Sequence, residues 1–155
     1  MSERIPVLMS ACLLGFPCRY DGACRPDETA KDLLKNTRVI PVCPELSGGL
    51  PIPREPAEII GDRVVNRAGR DVTAEYRAGA ERTLRLAKRY GCRVAVLKEK
   101  SPSCGRGRVY DGSFSGTLTD GNGVTAELLL ANGIAVVGET GLRDAGLFRD
   151  LTEKP

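Results

Sequence analysis

The sequence contains no histidine and no tryptophan, and aromatic residues account for only 5% of its 155 residues. The absence of histidine removes the commonest general base. It also excludes Ser-His and Cys-His catalytic pairs and zinc sites that mix histidine with cysteine. The shortage of aromatic side chains argues against an extensive platform for stacking the bases of single-stranded nucleic acids. Proton transfer must therefore depend on carboxylates, lysine, tyrosine, cysteine or water.

Long apolar runs are also missing. The first residues contain no apolar segment long enough for a signal peptide, and no stretch approaches the length of a membrane span. We therefore expect a cytoplasmic protein with no membrane partner, where cysteines stay reduced and serve as metal ligands or catalytic groups rather than as disulfides. The net charge of +3 is too small to indicate nucleic-acid binding by itself.

What the sequence does contain is an alternation of apolar runs and helical segments. Its size and composition, 41% hydrophobic and 28% charged, suit a single domain over residues 1–155. The predicted strands are residues 5–10, 38–42, 93–97 and 134–137. The predicted helices are residues 27–36, 73–90 and 122–132, with a weakly helical tail over 139–148. This pattern predicts an α/β fold: a three-layer, Rossmann-like domain with a mostly parallel sheet of about four or five strands.

Three other segments carry turn signals. Residues 58–72 predict a small hairpin, and the Gly- and Ser-rich residues 105–120 predict a functional loop or irregular hairpin. Residues 121–126, G-N-G-V-T-A, match G-x-G-x-x-A, but a dinucleotide fingerprint follows the first strand of a βαβ unit. We therefore interpret them as the start of a helix whose inward side carries Val124, Leu128 and Ala131.

Three of the six cysteines lie in the segments that follow predicted strands. Cys12, Cys43 and Cys104 stand at three of the four strand ends, and ligands in such folds bind beyond these carboxyl ends. If the strands are neighbours, the three thiols converge. Three thiolates without histidine suit zinc or an iron–sulfur cluster and leave one coordination position open. Without a C-x-x-C pair, the spacing alone favours buried free cysteines over a metal or cluster site.

The remaining cysteines are less informative. Cys18, only six residues after Cys12, could replace or supplement it as a ligand. Cys24 and Cys92 lie in a polar loop and at a helix-to-strand turn, where no chemical role is indicated.

Two polar residues accompany these cysteines. Glu45, two residues after Cys43, is a candidate acid or base, with a solvated loop carboxylate as the alternative. Ser101 and Ser103 flank Pro102 and lack a histidine to activate them, so they suit hydrogen bonding, water positioning or turn formation.

Five ordered motifs resemble those of the thiouracil desulfidase family, over about residues 5–148. They are S-A-C-L-L-G-x-x-C-R-Y-D-G (10–22), C-P-E-x-x-G-G-L-x-x-P-R-x-P (43–56), G-R-D-V-T (69–73), K-E-K-S-P-S-C-G (98–105) and Y-D-G-S-F-S-G (110–116).

The resemblance implies a [4Fe-4S] cluster bound by Cys12, Cys43 and Cys104, with a fourth, open iron that can bind the sulfur of a thiocarbonyl. It also implies that Glu45 and Ser101 are catalytic. The implied reaction is non-redox hydrolysis of 2-thiouracil, or a related thiolated base or nucleoside, to the carbonyl compound and sulfide.

The expected partner is thus a small thiolated pyrimidine. Nucleic acid is not expected, because the chain ends soon after the core, and the oligomeric state is not indicated. Weaker candidates for substrate contact are Ser103, Arg19, Tyr20 and Asp21. Two alternatives stay open: a sulfur or metal carrier that uses the same cysteines without turnover, and a cluster-free enzyme with Cys104 or Cys12 as nucleophile.

Overall fold

The computed structural model describes residues 4–22, 26–32 and 37–143. The strands are β1 Ile5–Ser10, β2 Thr37–Val42, β3 Ala57–Ile60, β4 Arg63–Asn66, β5 Val94–Leu97, β6 Arg108–Tyr110, β7 Leu118–Asp120 and β8 Ala135–Gly138. The helices are α1 Glu28–Asp32, α2 Pro44–Ser47, α3 Thr73–Tyr90 and α4 Val124–Ala131. None of the described helices combines the length and the apolar composition needed to cross a bilayer.

Four strands form a parallel sheet in the order β2-β1-β5-β8. Val7 of β1 lies between Val39 of β2 and Val94 of β5, and Val94 in turn pairs with Ala135 of β8. All four residues of β5 are buried, as a strand covered on both faces requires. The predicted mostly parallel sheet is therefore confirmed.

Helices cover both faces of this sheet. On one face Ala87 of α3 and Leu129 of α4 pack with Leu8 and Leu97 in one core cluster. On the other, Ala30 of α1 and the short 3-10 turn Ala11–Leu14 pack with neighbouring strand residues in a second cluster. The three-layer α/β architecture predicted from the sequence is therefore confirmed.

The strand order creates a switch point between β1 and β5. From β1 the chain moves outward to β2, and it then returns across β1 to add β5 and β8 on the opposite side. In open α/β sheets such a reversal leaves a crevice beyond the carboxyl ends of the two central strands, where ligands bind. Cys12 and Cys104 follow these two strands.

Two antiparallel hairpins accompany the sheet. β3 pairs with β4 around the predicted turn, and β6 pairs with β7. Both predicted hairpins are confirmed. The predicted helix over 27–36 is described only as α1, where Asp27 accepts a hydrogen bond from the Ala30 amide (3.0 Å), and 33–36 lie outside the described residues. The predicted helical tail begins as a 3-10 segment, Glu139–Arg143, and its remainder also lies outside them.

The interpretation of G-N-G-V-T-A as a helix start is confirmed, because α4 begins at Val124. Its predicted inward side is wrong. The buried residues are Thr125, Ala126 and Leu129, since the first turn of α4 contacts the loop that carries Cys104 and this contact fixes the rotation of the helix.

Candidate functional site

The carboxyl ends of three neighbouring strands meet at one cavity of about 480 Å³. Cys12 follows β1, Cys43 follows β2 directly and Cys104 follows β5, and all three line the cavity. Cys12 and Cys104 are buried, with 7% and 5% of their surface exposed. The predicted convergence of these three residues is therefore observed.

A hydrogen bond joins the two central strand ends. The Lys98 amide donates to the Ser10 hydroxyl at 2.9 Å, and Ser10 is only 3% exposed. Lys98 lines the cavity, and its ammonium group pairs with Glu139 at 2.6 Å. This hydrogen bond fixes the distance between the ends of β1 and β5, from which the segments that carry Cys12 and Cys104 begin.

Ser101 shapes the turn that carries Cys104. Its hydroxyl oxygen accepts hydrogen bonds from the amides of Ser103 and Cys104, both at 3.1 Å. Ser101 lines the cavity, and its own hydroxyl proton stays available for donation.

The first turn of α4 holds the same loop from behind. The amides of Val124 and Thr125 donate to the carbonyls of Pro102 and Ser103, both at 2.8 Å. At Gly123 an added Cβ would overlap the Ser103 carbonyl, so glycine permits this close approach. The glycine motif thus serves packing.

Ser103 points away from the cavity. Its hydroxyl is 2.8 Å from the Thr125 hydroxyl, its surface is 1% exposed, and it is not among the cavity-lining residues. In this arrangement Ser103 supports the Cys104 loop, and its predicted substrate contact is not part of the observed geometry.

A fourth thiol, Cys18, lines the same cavity and is 6% exposed. A hydrogen bond with the Cys12 thiol raises the pKa of Cys18 to about 11. A hydrogen bond with Cys18, followed by burial, raises the pKa of Cys43, and burial raises the pKa of Cys104 to about 12. In this environment the protonated thiols are favoured until a cation stabilises the thiolates.

Glu45 extends from α2 to the same cavity. Its Oε2 atom accepts a 2.8 Å hydrogen bond from the Tyr76 hydroxyl and lies 3.4 Å from Nε of Arg54. Arg54 is 6% exposed at its side chain, and its two terminal nitrogens donate to the carbonyls of Pro51 (3.0 Å) and Cys18 (2.9 Å). Glu45 is therefore held by residues from two other segments.

A glycine contact brings Glu45 and Tyr76 together. An added Cβ at Gly48 would overlap the Glu75 carbonyl oxygen, and one at Gly79 would overlap the Pro44 carbonyl oxygen. The backbones of α2 and α3 therefore touch. Tyr76 is 3% exposed as a result, and burial, followed by the charge of Glu45, raises the pKa of its phenol.

The predicted substrate-contacting residues 19–21 are only partly placed at the cavity. Arg19 and Tyr20 line it, with the guanidinium of Arg19 5.8 Å from the ring centre of Tyr20. Asp21 lies outside the lining and forms a 3.8 Å ion pair with Arg19. Asp21 is therefore placed to orient Arg19.

Glu58 anchors a loop at the cavity. Its Oε1 atom accepts hydrogen bonds from the amides of Gly112 (2.9 Å) and Phe114 (3.1 Å), and Phe114 lines the cavity. Glu58 itself is 9% exposed. The Y-D-G-S-F-S-G motif is thus fixed to β3 by one carboxylate.

Sequence reasoning missed Arg54, Tyr76 and Glu58. Arg54 belongs to the quoted motif C-P-E-x-x-G-G-L-x-x-P-R-x-P, so its position in a motif was the available signal. Tyr76 was visible only as one member of an apolar helical stripe, and nothing local marked Glu58. Within the part of the chain that the structure describes, no three His, Cys, Asp or Glu side chains are grouped around a single metal ion.

Comparison with known proteins identifies the family. Residues 7–141 match the family model described as 2-thiouracil desulfurase. The chain belongs to this family. The resemblance predicted from the sequence, and with it the assignment to a family of enzymes, is confirmed.

Two relatives extend this result. The chain is 43% identical to the uncharacterized protein YbbK of Bacillus subtilis (strain 168) over 148 residues, which are 89% of this chain and 98% of that protein. It also resembles the solved structure of the [4Fe-4S]-dependent thiouracil desulfidase TudS, with a TM-score of 0.87 and 46% identity. That match covers 97% of this chain and 100% of the other.

Proposed function

We propose that this protein is a desulfidase that hydrolyses the thiocarbonyl group of 2-thiouracil, or of a related thiolated base or nucleoside, to a carbonyl group and sulfide. One observation carries the proposal: cysteines from three strand ends line a single cavity together with Glu45, in a chain of the 2-thiouracil desulfurase family. Water supplies the oxygen and the two protons of hydrogen sulfide, so no external electron donor is required.

The cavity lining fits a [4Fe-4S] cluster. Its donor set is rich in thiols and contains no histidine, as iron–sulfur sites prefer. Each thiolate of such a cluster binds a different iron atom, so the thiols need not point at one metal ion. Cys12, Cys43 and Cys104 would hold the cluster and leave one iron open. When bound, it would supply a Lewis acid that prefers sulfur.

Glu45 is the proposed general base. Its carboxylate lines the cavity, and Oε2 is fixed by Tyr76 and Arg54. A fixed carboxylate can accept a proton from a water molecule as that water attacks the thiocarbonyl carbon, and it can return the proton to the departing sulfur. Glu45 thus acts first as base and then as acid, and it ends the reaction in the protonation state in which it began.

Ser101 is the proposed hydrogen-bond donor to the substrate. Because its oxygen already accepts two amide hydrogen bonds, the orientation of the hydroxyl is restricted. A restricted donor at the cavity wall can stabilise charge that develops on a substrate heteroatom without reorganising. Arg19 and Tyr20 are proposed to contact the pyrimidine, with Asp21 orienting Arg19.

We place the reaction in a reducing, cytoplasmic environment. The five cysteines within the described residues are free thiols, and cluster ligation requires thiolates. The proposed substrate is a small molecule rather than a nucleic acid.

The test is sulfide release from 2-thiouracil by protein reconstituted anaerobically with iron and sulfide. Cys104→Ser should abolish release, whereas the matched control Cys92→Ser should retain it, because Cys92 is equally buried but lies in the core away from the cavity. Equal activity of Cys104→Ser and the wild type would contradict the proposal. Uptake of sulfur without production of uracil would favour the carrier alternative.

A further inference from the structure

We propose that Tyr76 and Arg54 are positioning residues that fix one oxygen of Glu45, so that the other oxygen can exchange a proton with water at the cavity. This inference rests on the proposed function, because it assigns an action to residues that work through Glu45. It concerns one residue on α3 and one on the segment before β3, neither of which carries a role predicted from the sequence.

The first support is that both contacts converge on the same atom. Tyr76 donates to Oε2 of Glu45 at 2.8 Å, and Nε of Arg54 lies 3.4 Å from that same oxygen. A carboxylate held at one oxygen by a hydroxyl and a guanidinium has little rotational freedom. Its second oxygen therefore keeps a defined direction, as proton transfer in a small cavity demands.

The second support is the burial of both partners. Tyr76 is 3% exposed, and the side chain of Arg54 is 6% exposed. A buried phenol and a buried guanidinium each need an acceptor, since an unpaired polar group away from water is costly. Nε of Arg54 makes no hydrogen bond within the described part of the chain, so Glu45 is its nearest compensating charge.

The third support is that Arg54 links the carboxylate to the cysteine segment. Its Nη2 atom donates to the Cys18 carbonyl at 2.9 Å, the same carbonyl that the Cys43 thiol contacts at 3.8 Å. One guanidinium thus spans the backbone next to the thiols and the carboxylate of Glu45. Lysine cannot reproduce this, because its single ammonium lacks the planar fork of donors.

The backbone contact between α2 and α3 sets the positions of Glu45 and Tyr76. Gly48 and Gly79 let the two helices touch, and Tyr76 lies one turn before Gly79 on the same helix. The hydroxyl can therefore reach Glu45 only while this contact is intact. Positioning of Glu45 is in this sense a product of helix packing and not of the loop after Cys43.

The test is a double-mutant cycle on the reconstituted enzyme. Tyr76→Phe should lower kcat about ten- to hundredfold, the range of one hydrogen bond to a charged acceptor, while KM changes less than about twofold. Arg54→Lys should show the same division between kcat and KM. The matched control Tyr90→Phe, on the same helix but outside the cavity lining, should behave as the wild type.

The decisive readout compares the effect of Tyr76→Phe on the rate in the wild type with its effect in a Glu45→Gln protein. In a Glu45→Gln protein, followed in single turnover, Tyr76→Phe should cause no further loss, because its effect passes through the Glu45 carboxylate. An unchanged kcat for Tyr76→Phe, a full additional loss in the Glu45→Gln background, or loss of bound iron together with activity would each overturn the inference. A wild-type protein that releases no sulfide would instead refute the proposed function, which keeps the two failures distinguishable.

Discussion

The Tyr76 hydroxyl donates a 2.8 Å hydrogen bond to Oε2 of Glu45, across 31 positions of the sequence. The contact joins the first turn of α3, in the middle of the sequence, to the short helix α2 that follows Cys43. It is the reason that a helix without cysteines takes part in the cavity. Its consequences reach both stability and chemistry.

Tyr76 should stay protonated at a pH where ordinary tyrosines ionise. Burial, followed by the charge of Glu45, raises its pKa in the folded state, so its contribution to stability is complete below about pH 10 and declines as the pH rises further. At about pH 11 the near-ultraviolet absorbance of tyrosinate should therefore be the same in the folded wild type and in Tyr76→Phe. In denaturant the variant should show one tyrosinate fewer, and a difference already present in the folded proteins would contradict this assignment.

Gly79→Ala tests the contact between α2 and α3. Helix propensity alone predicts stabilisation by about 1 kcal/mol, whereas overlap with the Pro44 carbonyl predicts destabilisation by about 1–3 kcal/mol. We expect the overlap to dominate, because the clashing atom belongs to the backbone. Denaturant unfolding measures the change in the free energy of unfolding.

Exposed Arg85, on the same helix, supplies the control for this change. The difference in the free energy of unfolding between Arg85→Gly and Arg85→Ala measures the helix propensity of alanine over glycine at an exposed position. If Gly79→Ala stabilises the protein by the same amount as this propensity difference, the backbones of α2 and α3 need not touch.

Glu58 should control the loop 110–116. Glu58→Ala leaves the Gly112 and Phe114 amides without their acceptor, at a cost of about 1–3 kcal/mol in the free energy of unfolding. Because Phe114 lines the cavity, KM for the thiolated pyrimidine should also rise several-fold. Glu58→Gln keeps an acceptor oxygen and should recover most of both losses; if it is as impaired as Glu58→Ala, charge rather than hydrogen bonding is responsible.

Cys18 should be dispensable for holding the cluster. Serine at Cys12, Cys43 or Cys104 should reduce bound iron well below about four atoms per chain, whereas Cys18→Ser should retain it. Cys18 lines the cavity, but Cys12 lies nearer to the end of β1, the strand that both cysteines follow. Iron and sulfide analysis of anaerobically prepared variants gives the answer. Loss of iron in Cys18→Ser, with retention in Cys12→Ser, would exchange the roles of these two residues.

Much of the fold was predictable from local sequence. The four strands of the sheet, α3 and both hairpins follow from runs of apolar residues and from turn signals, and these are properties of neighbouring residues. The strand order was not predictable, because it depends on packing between distant segments. Convergence of Cys12, Cys43 and Cys104 could therefore be stated only on the condition that their strands are neighbours.

The site residues that follow strands of the parallel sheet were predictable. Those on α3 and on the loop before β3 were not. Tyr76 reaches Glu45 through a backbone contact at two glycines, and Arg54 reaches it from the loop before β3; no sequence periodicity reveals either approach. Ser103 was a weaker candidate for substrate contact, but its side chain faces Thr125. The sequence shows that Ser101, Ser103 and Cys104 are close together in one turn. The packing of that turn against α4 decides which of their side chains face the cavity.

The central claim is that the protein removes sulfur from a thiolated pyrimidine by hydrolysis. The most direct measurement is product stoichiometry for 2-thiouracil with anaerobically reconstituted protein, in excess substrate and without an electron donor. The account predicts many turnovers, with one uracil and one sulfide formed for each thiouracil consumed. Sulfide capped at one equivalent per chain, or a requirement for added reductant, would contradict it.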